Sequence, residues 1–201
     1  GVVAALTNRP VRAGADRSKR SRGELPLLLV RHESAAAAAQ AFCREVVPAD
    51  YNPCWLLVGD AQRLFYIDIE AATACAPREL GPGVYVLENR PLGAPSAKAS
   101  RIDATLREAS LWRGDVLVTS LAAMLRTHER WSRSSAQTHD GDWRPEEVDA
   151  ACVHAGPYGT RSSSIVVLPA GGGLQPRIWQ AEGAPCQVAH VEVTPWEATR
   201  P

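Results

Sequence analysis

Two β-rich runs, CWLLVGD and RLFYIDIE, stand almost back to back, joined by Gly59-Asp60-Ala61-Gln62. Residues of this type around so short a connection read as an antiparallel hairpin. The hairpin sits inside a wider order of strand, helices, strands, helices, strands. A doubly wound parallel sheet needs strict alternation, which this order lacks; it suits an α+β fold with antiparallel sheets and grouped helices.

Residues 1–6, GVVAAL, form a continuous apolar run that reads as a strand ending at Thr7-Asn8-Arg9-Pro10. Arg22 to Val30 reads as a short helix with Pro26 in its first turn, where proline is tolerated. Ser34 then caps a second helix, AAAAAQAFCREVV, stopped by Pro48. Alanine has the highest helix propensity, so the run 35–39 is helix filler. GPGVYVLEN, residues 81–89, reads as a further strand after a Pro-Gly turn. Ile102, Leu106 and Ala109, then Val116, Leu117, Leu121 and Leu125, recur at helical spacing over 97–110 and 115–127. Residues 133–147 read as an exposed loop. The tail returns to strands at AACVHA, RSSSIVVLP, QPRIWQAE and QVAHVEV, with a turn at Ala170 to Gly173.

Charge excludes some partners. Lys+Arg and Asp+Glu are equal at 22 each, so no long-range field draws the chain to nucleic acid. Arg9, Arg12, Arg17, Lys19, Arg20 and Arg22 cluster, but no aromatic interleaves them. They fit a solvated loop, or an anion-binding rim using bidentate Arg geometry. No apolar run reaches the ~20 residues of a membrane span. The five cysteines include no C-x-x-C pair, which favours free buried thiols, a reducing and hence cytoplasmic setting, and neither a disulfide framework nor a zinc site. His32, His128, His139, His154 and His190 form no H-x-H or H-x-x-x-H pair, and His154 and His190 read as sheet residues. No metal or cofactor is expected on these grounds.

Three segments in register carry a resemblance. They are VVAALTNRP followed by SRGEL; LGPGVYVLEN with Pro95 and Lys98 after it; and CVHAGPYGTRSSSIVVL followed by a hairpin. Together they resemble the NRDE domain, the transport-and-Golgi-organisation protein 2 family, over nearly the whole chain, residues 1–201 as a single domain. Family members carry a further stretch ahead of the VVAALTNR strand, with a Cys after the initiator Met, so the resemblance implies a chain incomplete at its N-terminus. It also implies an exposed sheet edge beside residues 1–8 and marginal stability. Where relatives tend to have Asp-Thr-Pro-Trp, this chain has Gly93-Ala94-Pro95-Ser96.

More distantly the family resembles N-terminal-nucleophile hydrolases of the choloylglycine and penicillin V acylase type. That implies an αββα four-layer sandwich with antiparallel sheets, here without its N-terminal strands. It implies a Cys thiolate that attacks an amide carbonyl with its own α-amine as base, and an oxyanion held by an Asn side chain and a backbone N–H. On that resemblance Asn89 corresponds to the oxyanion Asn, Asn8 to a second Asn lining the site, and Arg161 to the Arg beside the nucleophile. Arg9, Arg22, Tyr158 and Thr160 are the candidate substrate-binding residues. Asn8 and Asn89 equally fit turns, since Asn bonds its own backbone there, and Thr160 to Ser164 fit a polar strand face. The functional alternative is a non-enzymatic carrier or trafficking factor that holds a small ligand, haem or an acyl compound, in the same cleft. The sequence sets no oligomeric state.

Overall fold

The computed structural model describes residues 1–11, 14–70, 76–108, 114–128, 150–170 and 175–193. It is an α+β structure with antiparallel sheets, divided into two compact units, Gly1–Ala94 and Pro95–Pro201.

The first unit is built on four strands in the order β1-β2-β3-β4: β1 Val3–Asn8, β2 Cys54–Gly59, β3 Leu64–Ile69 and β4 Arg78–Leu80. The hairpin read from sequence is β2–β3, with Gly59 opposite Leu64. Successive residues of a strand face opposite sides, and the two sides differ. One carries Cys54, Leu56, Val58, Phe65, Ile67 and Ile69, packed against helix residues that include Leu25, Leu29, Ala38 and Phe42. The other carries Trp55, Tyr66 and Leu80.

The helices are α1, Glu24–Leu29, and α2, Ala35–Glu45. The inward positions of α2 are Ala35, Ala38, Ala39 and Phe42, at i, i+3, i+4 and i+7. Ser34 caps α2 as expected, its Oγ accepting from the Ala37 N–H at 3.2 Å. A helix N-terminus leaves four N–H groups without internal partners. The hairpin supplies a second acceptor here: Asp60 Oδ2 accepts from the Ala35 N–H at 2.8 Å, while its Oδ1 accepts from the N–H groups of Gln62 and Arg63 at 2.8 and 2.9 Å. Asp60 therefore shapes the turn and fastens the helix to it.

Burial pushes the Asp60 carboxyl up, but the three backbone donors outweigh it and the net shift is downward. A folded-state pKa below the unfolded value of about 3.9 stabilises fully above that value and is lost as pH falls through the folded one. Asp60→Ala is expected to cost about 1–2 kcal/mol at pH 7, a figure kept low because the group is partly solvated. Urea titrations at pH 7 and pH 3 check this: the deficit should shrink at the lower pH, and an undiminished deficit would deny the charged acceptor its role.

The segment 81–89 is corrected. It forms no strand; the fourth strand is β4, just before it. Tyr85, Leu87 and Leu92 instead pack on the Trp55–Tyr66 side of the sheet. Part of the arginine-rich loop is also more firmly held than a solvated reading implies. Arg20 bridges Tyr51, and Asn52, 8 % exposed, accepts from the Asp16 N–H and donates to the Asp16 carbonyl at 2.9 and 2.8 Å. Arg12 lies outside the described residues.

The second unit contains α3 Ala97–Glu108, α4 Gly114–Leu125, a hairpin of β5 His154–Ala155 and β6 Tyr158–Gly159, and a three-stranded sheet in the order β7-β8-β9: Ser163–Val167, Arg177–Ala181 and Val191–Val193. Both helices fall where the periodicity predicts. Of AACVHA only the last two residues are strand. Gly156, at φ 59°, and Pro157 make the β5–β6 turn, glycine taking the conformation other residues avoid. Leu121, Ala122 and Leu125 of α4 pack on Val118, Ile165 and Trp179. Arg177 lies over the Trp179 ring and pairs with Glu192 at 2.8 Å through two nitrogens. The loop expected at 133–147 and most of the turn expected at 170–173 lie outside the described residues.

Cys152 and Cys186 are free thiols as expected, Cys152 buried and Cys186 only partly so, and Cys54 is a buried free thiol too. Cys43 is not: it is disulfide-bonded, which removes the cysteine argument for a reducing compartment. Among the described residues no helix is long and apolar enough to cross a membrane.

Candidate functional site

The last pair of the β1–β2 ladder is Asn8 with Cys54. One step further, the Arg9 N–H donates to the Pro53 carbonyl at 3.2 Å, and Arg22 Nη1 donates to the same oxygen at 3.1 Å. Asn8, Arg9 and Arg22 are thus gathered at one end of the sheet. Strand alternation then separates the first two. Asn8 is in phase with Ala4 and Leu6, which pack on the helix side, while Arg9 is in phase with Thr7 on the other.

On that other side Arg9 is surrounded by compensating groups. Its Nη1 lies 2.9 Å from Glu70 Oε2 and 3.5 Å from Asp68 Oδ1, and its guanidinium stands 5.7 Å from the centre of the Trp55 ring. Its charge is balanced by the protein's own carboxylates, so it is better placed to orient Asp68 than to serve as an anion rim. Thr7 Oγ1 donates to the Glu88 carbonyl at 3.0 Å, which brings the residue before Asn89 against β1. Asn89 itself is exposed.

Beneath this segment two polar atoms lack hydrogen-bond partners. Among the described residues they are Trp55 Nε1, a donor on a residue 2 % exposed, and Asp68 Oδ1, an acceptor that has an ion-pair contact with Arg9 at 3.5 Å but no hydrogen bond. Trp55 and Asp68 are register partners across β2–β3, so their side chains leave the sheet on the same face. Buried polar groups are nearly always satisfied, and exceptions call for an explanation. Burial disfavours a thiolate at Cys54. Burial pushes its thiol up to about 12, with Arg22 partly offsetting and Asp68 adding to the rise.

The remaining candidates belong to the second unit. Thr160 makes two bonds to one residue: its N–H donates to the Val153 carbonyl at 2.9 Å, and its Oγ1 accepts from the Val153 N–H at 3.0 Å. Its side chain is thus committed to structure. Tyr158 is 50 % exposed, and Arg161 is exposed at the entry to β7. The structure therefore groups Asn8, Arg9, Arg22 and the Asn89 segment in one unit, and Tyr158, Thr160 and Arg161 in the other.

The model of the Transport and Golgi organisation 2 family matches residues 1–175. The chain belongs to that family. A search of curated proteins finds no match to it. Within this Transport and Golgi organisation 2 chain, sequence reading missed Trp55 and Asp68. Both stand in strand-forming runs where apolar packing explains the pattern, and only the three-dimensional pairing exposes the unmet donor and acceptor.

Proposed function

We propose that this family member is a relative of N-terminal-nucleophile amide hydrolases and takes a small amide at the Asn8–Cys54 end of its first sheet. The observation that carries the reading is the pair Trp55 Nε1 and Asp68 Oδ1, on register-paired residues, neither of which makes a hydrogen bond among the described residues. An amide offers the complement of that pair, a carbonyl that accepts and an N–H that donates. Arg9 holds the Asp68 side chain, and the Thr7–Glu88 bond holds the segment bearing Asn89. In this reading Asn89 donates to the oxygen that becomes negative as the carbonyl is attacked. The nucleophile is the Cys that the resemblance places ahead of the β1 strand, and the whole belongs to a four-layer αββα sandwich.

The test is made on the full-length protein with a panel of N-acyl amides, beside Asn89→Ala and Asp68→Asn. Turnover that falls in both variants while the melting temperature holds supports the reading. Saturable binding without turnover, lost in Asp68→Asn, would give the site to a carrier instead. Neither turnover nor binding in a folded sample would remove both.

A further inference from the structure

His128, Cys152, His154 and Cys186 come together in the second unit, far from the amide site in sequence and independent of it. One donor atom from each lies within 4.8 Å of every other. His128 follows α4, Cys152 and His154 enter β5, and Cys186 sits in the turn between β8 and β9. We propose that these four side chains form a tetrahedral His₂Cys₂ site for Zn²⁺.

Distances carry the first part of the argument. Zn–S bonds of about 2.3 Å and Zn–N bonds of about 2.0–2.1 Å place tetrahedral ligand atoms about 3.3–3.8 Å apart. His154 Nε2 lies 3.2 Å from Cys186 Sγ and 3.7 Å from Cys152 Sγ. The His128 and His154 rings are 5.1 Å apart between centres and inclined at 44°, so their nitrogens converge without stacking. Two thiolates balance the charge of a divalent ion, and thiolate with imidazole in tetrahedral array selects zinc over harder cations.

The surroundings are those of a supported site. Metal-bound histidines usually give their other ring nitrogen to a carbonyl or carboxylate. His128 Nδ1 lies 3.1 Å from the Cys152 carbonyl; with Nδ1 as donor, the lone pair is on Nε2. The Cys152 N–H donates to the Thr127 carbonyl at 3.0 Å, joining the two ligand segments. Thr160 clamps Val153 between Cys152 and His154. Arg126 Nη2 donates to the Cys186 carbonyl at 3.4 Å, and the Gln187 and Val188 N–H groups both turn back to the Ala184 carbonyl. Cys152 is 1 % exposed while both histidines are exposed, so an ion enters from the histidine side.

Four protein ligands leave no open position, which makes the site structural and not catalytic. A metal held here would cross-link the end of α4, the start of β5 and the β8–β9 turn, three segments distant in sequence.

The experiment is elemental analysis of the untagged protein purified without chelator, followed by Co²⁺ replacement. One zinc per chain is expected, falling to background in Cys152→Ser and in Cys186→Ser. Because those variants could fail to fold, the wild-type protein is also loaded with Co²⁺ after zinc removal. Intense visible bands of tetrahedral cobalt with thiolate-to-cobalt charge transfer are expected, and His154→Ala should weaken them. A folded protein that shows neither zinc nor a cobalt–thiolate band would overturn the site. So would non-reducing peptide mapping that finds Cys152 and Cys186 joined to each other in the freshly purified protein.

Discussion

Leu56→Ala is expected to destabilise the first unit by about 3–4 kcal/mol, because no part of the site can close over the space left behind. Leu56 is fully buried on β2, with Leu6 of β1 and Ile67 of β3 as its register partners and the helix-side cluster above it. Strands on both sides fix the backbone, so it cannot move inward to refill a cavity. The loss therefore includes both the transfer of the side chain and the unfilled volume. Hydrogen exchange of the β1–β3 amides is the measurement, since it assigns the loss to this unit. Leu27→Ala is the comparison, because Leu27 lies on α1 but is 60 % exposed and should change stability by less than about 0.5 kcal/mol. Equal effects from the two substitutions would mean that the sheet does not carry its core on this face.

The same sheet shows what sequence pattern can and cannot report. The β2–β3 hairpin and α2 were legible because each follows from local chemistry: alternation around a turn in one, alanines behind a Ser cap in the other. The segment 81–89 has the composition of a strand but pairs in no ladder among the described residues. It lies over a sheet face, so Tyr85 and Leu87 are partly buried against the side chains beneath them and not by a ladder. Periodicity records which side is buried; it does not say where the backbone hydrogen bonds go. Asp60 makes the related point for turns. Its place in the hairpin was legible, whereas its reach to the Ala35 N–H depends on how α2 is seated.

The candidate sites divide in the same way. Asn8, Arg9 and Arg22 lie in segments with a recognisable pattern, and the structure places the Arg9 N–H and Arg22 Nη1 on the Pro53 carbonyl, with Asn8 one register step away on the opposite face. The His–Cys cluster leaves no signature in the sequence, because its members are 24, 2 and 32 residues apart and no short motif spans them. Their proximity comes from α4, the β5–β6 hairpin and the β8–β9 turn being folded together.

Gly159→Ala should destabilise the second unit by about 3 kcal/mol, the upper end of what overpacking costs, because the obstacle is backbone. A Cβ at this position would stand 2.8 Å from the Val153 carbonyl oxygen, closer than such atoms approach. That oxygen cannot swing aside freely, since it accepts the Thr160 N–H at 2.9 Å while the Val153 N–H is bonded to Thr160 Oγ1. Gly159 is also the register partner of His154, so relief of the contact must displace the hairpin that presents Cys152 and His154. The Tyr158-Gly159-Thr160 stretch thus has a structural reason for its composition: a residue without a side chain lets the strand approach, and Thr160 then holds Val153 at both ends, its N–H on the carbonyl and its hydroxyl oxygen on the N–H. Thermal denaturation of Gly159→Ala beside Gly81→Ala tests this, since a Cβ at Gly81 meets nothing within 4 Å. A melting temperature for Gly159→Ala equal to that of Gly81→Ala would show that the hairpin yields without cost, and the clamp on Val153 would then be too weak to position the two ligands that flank it.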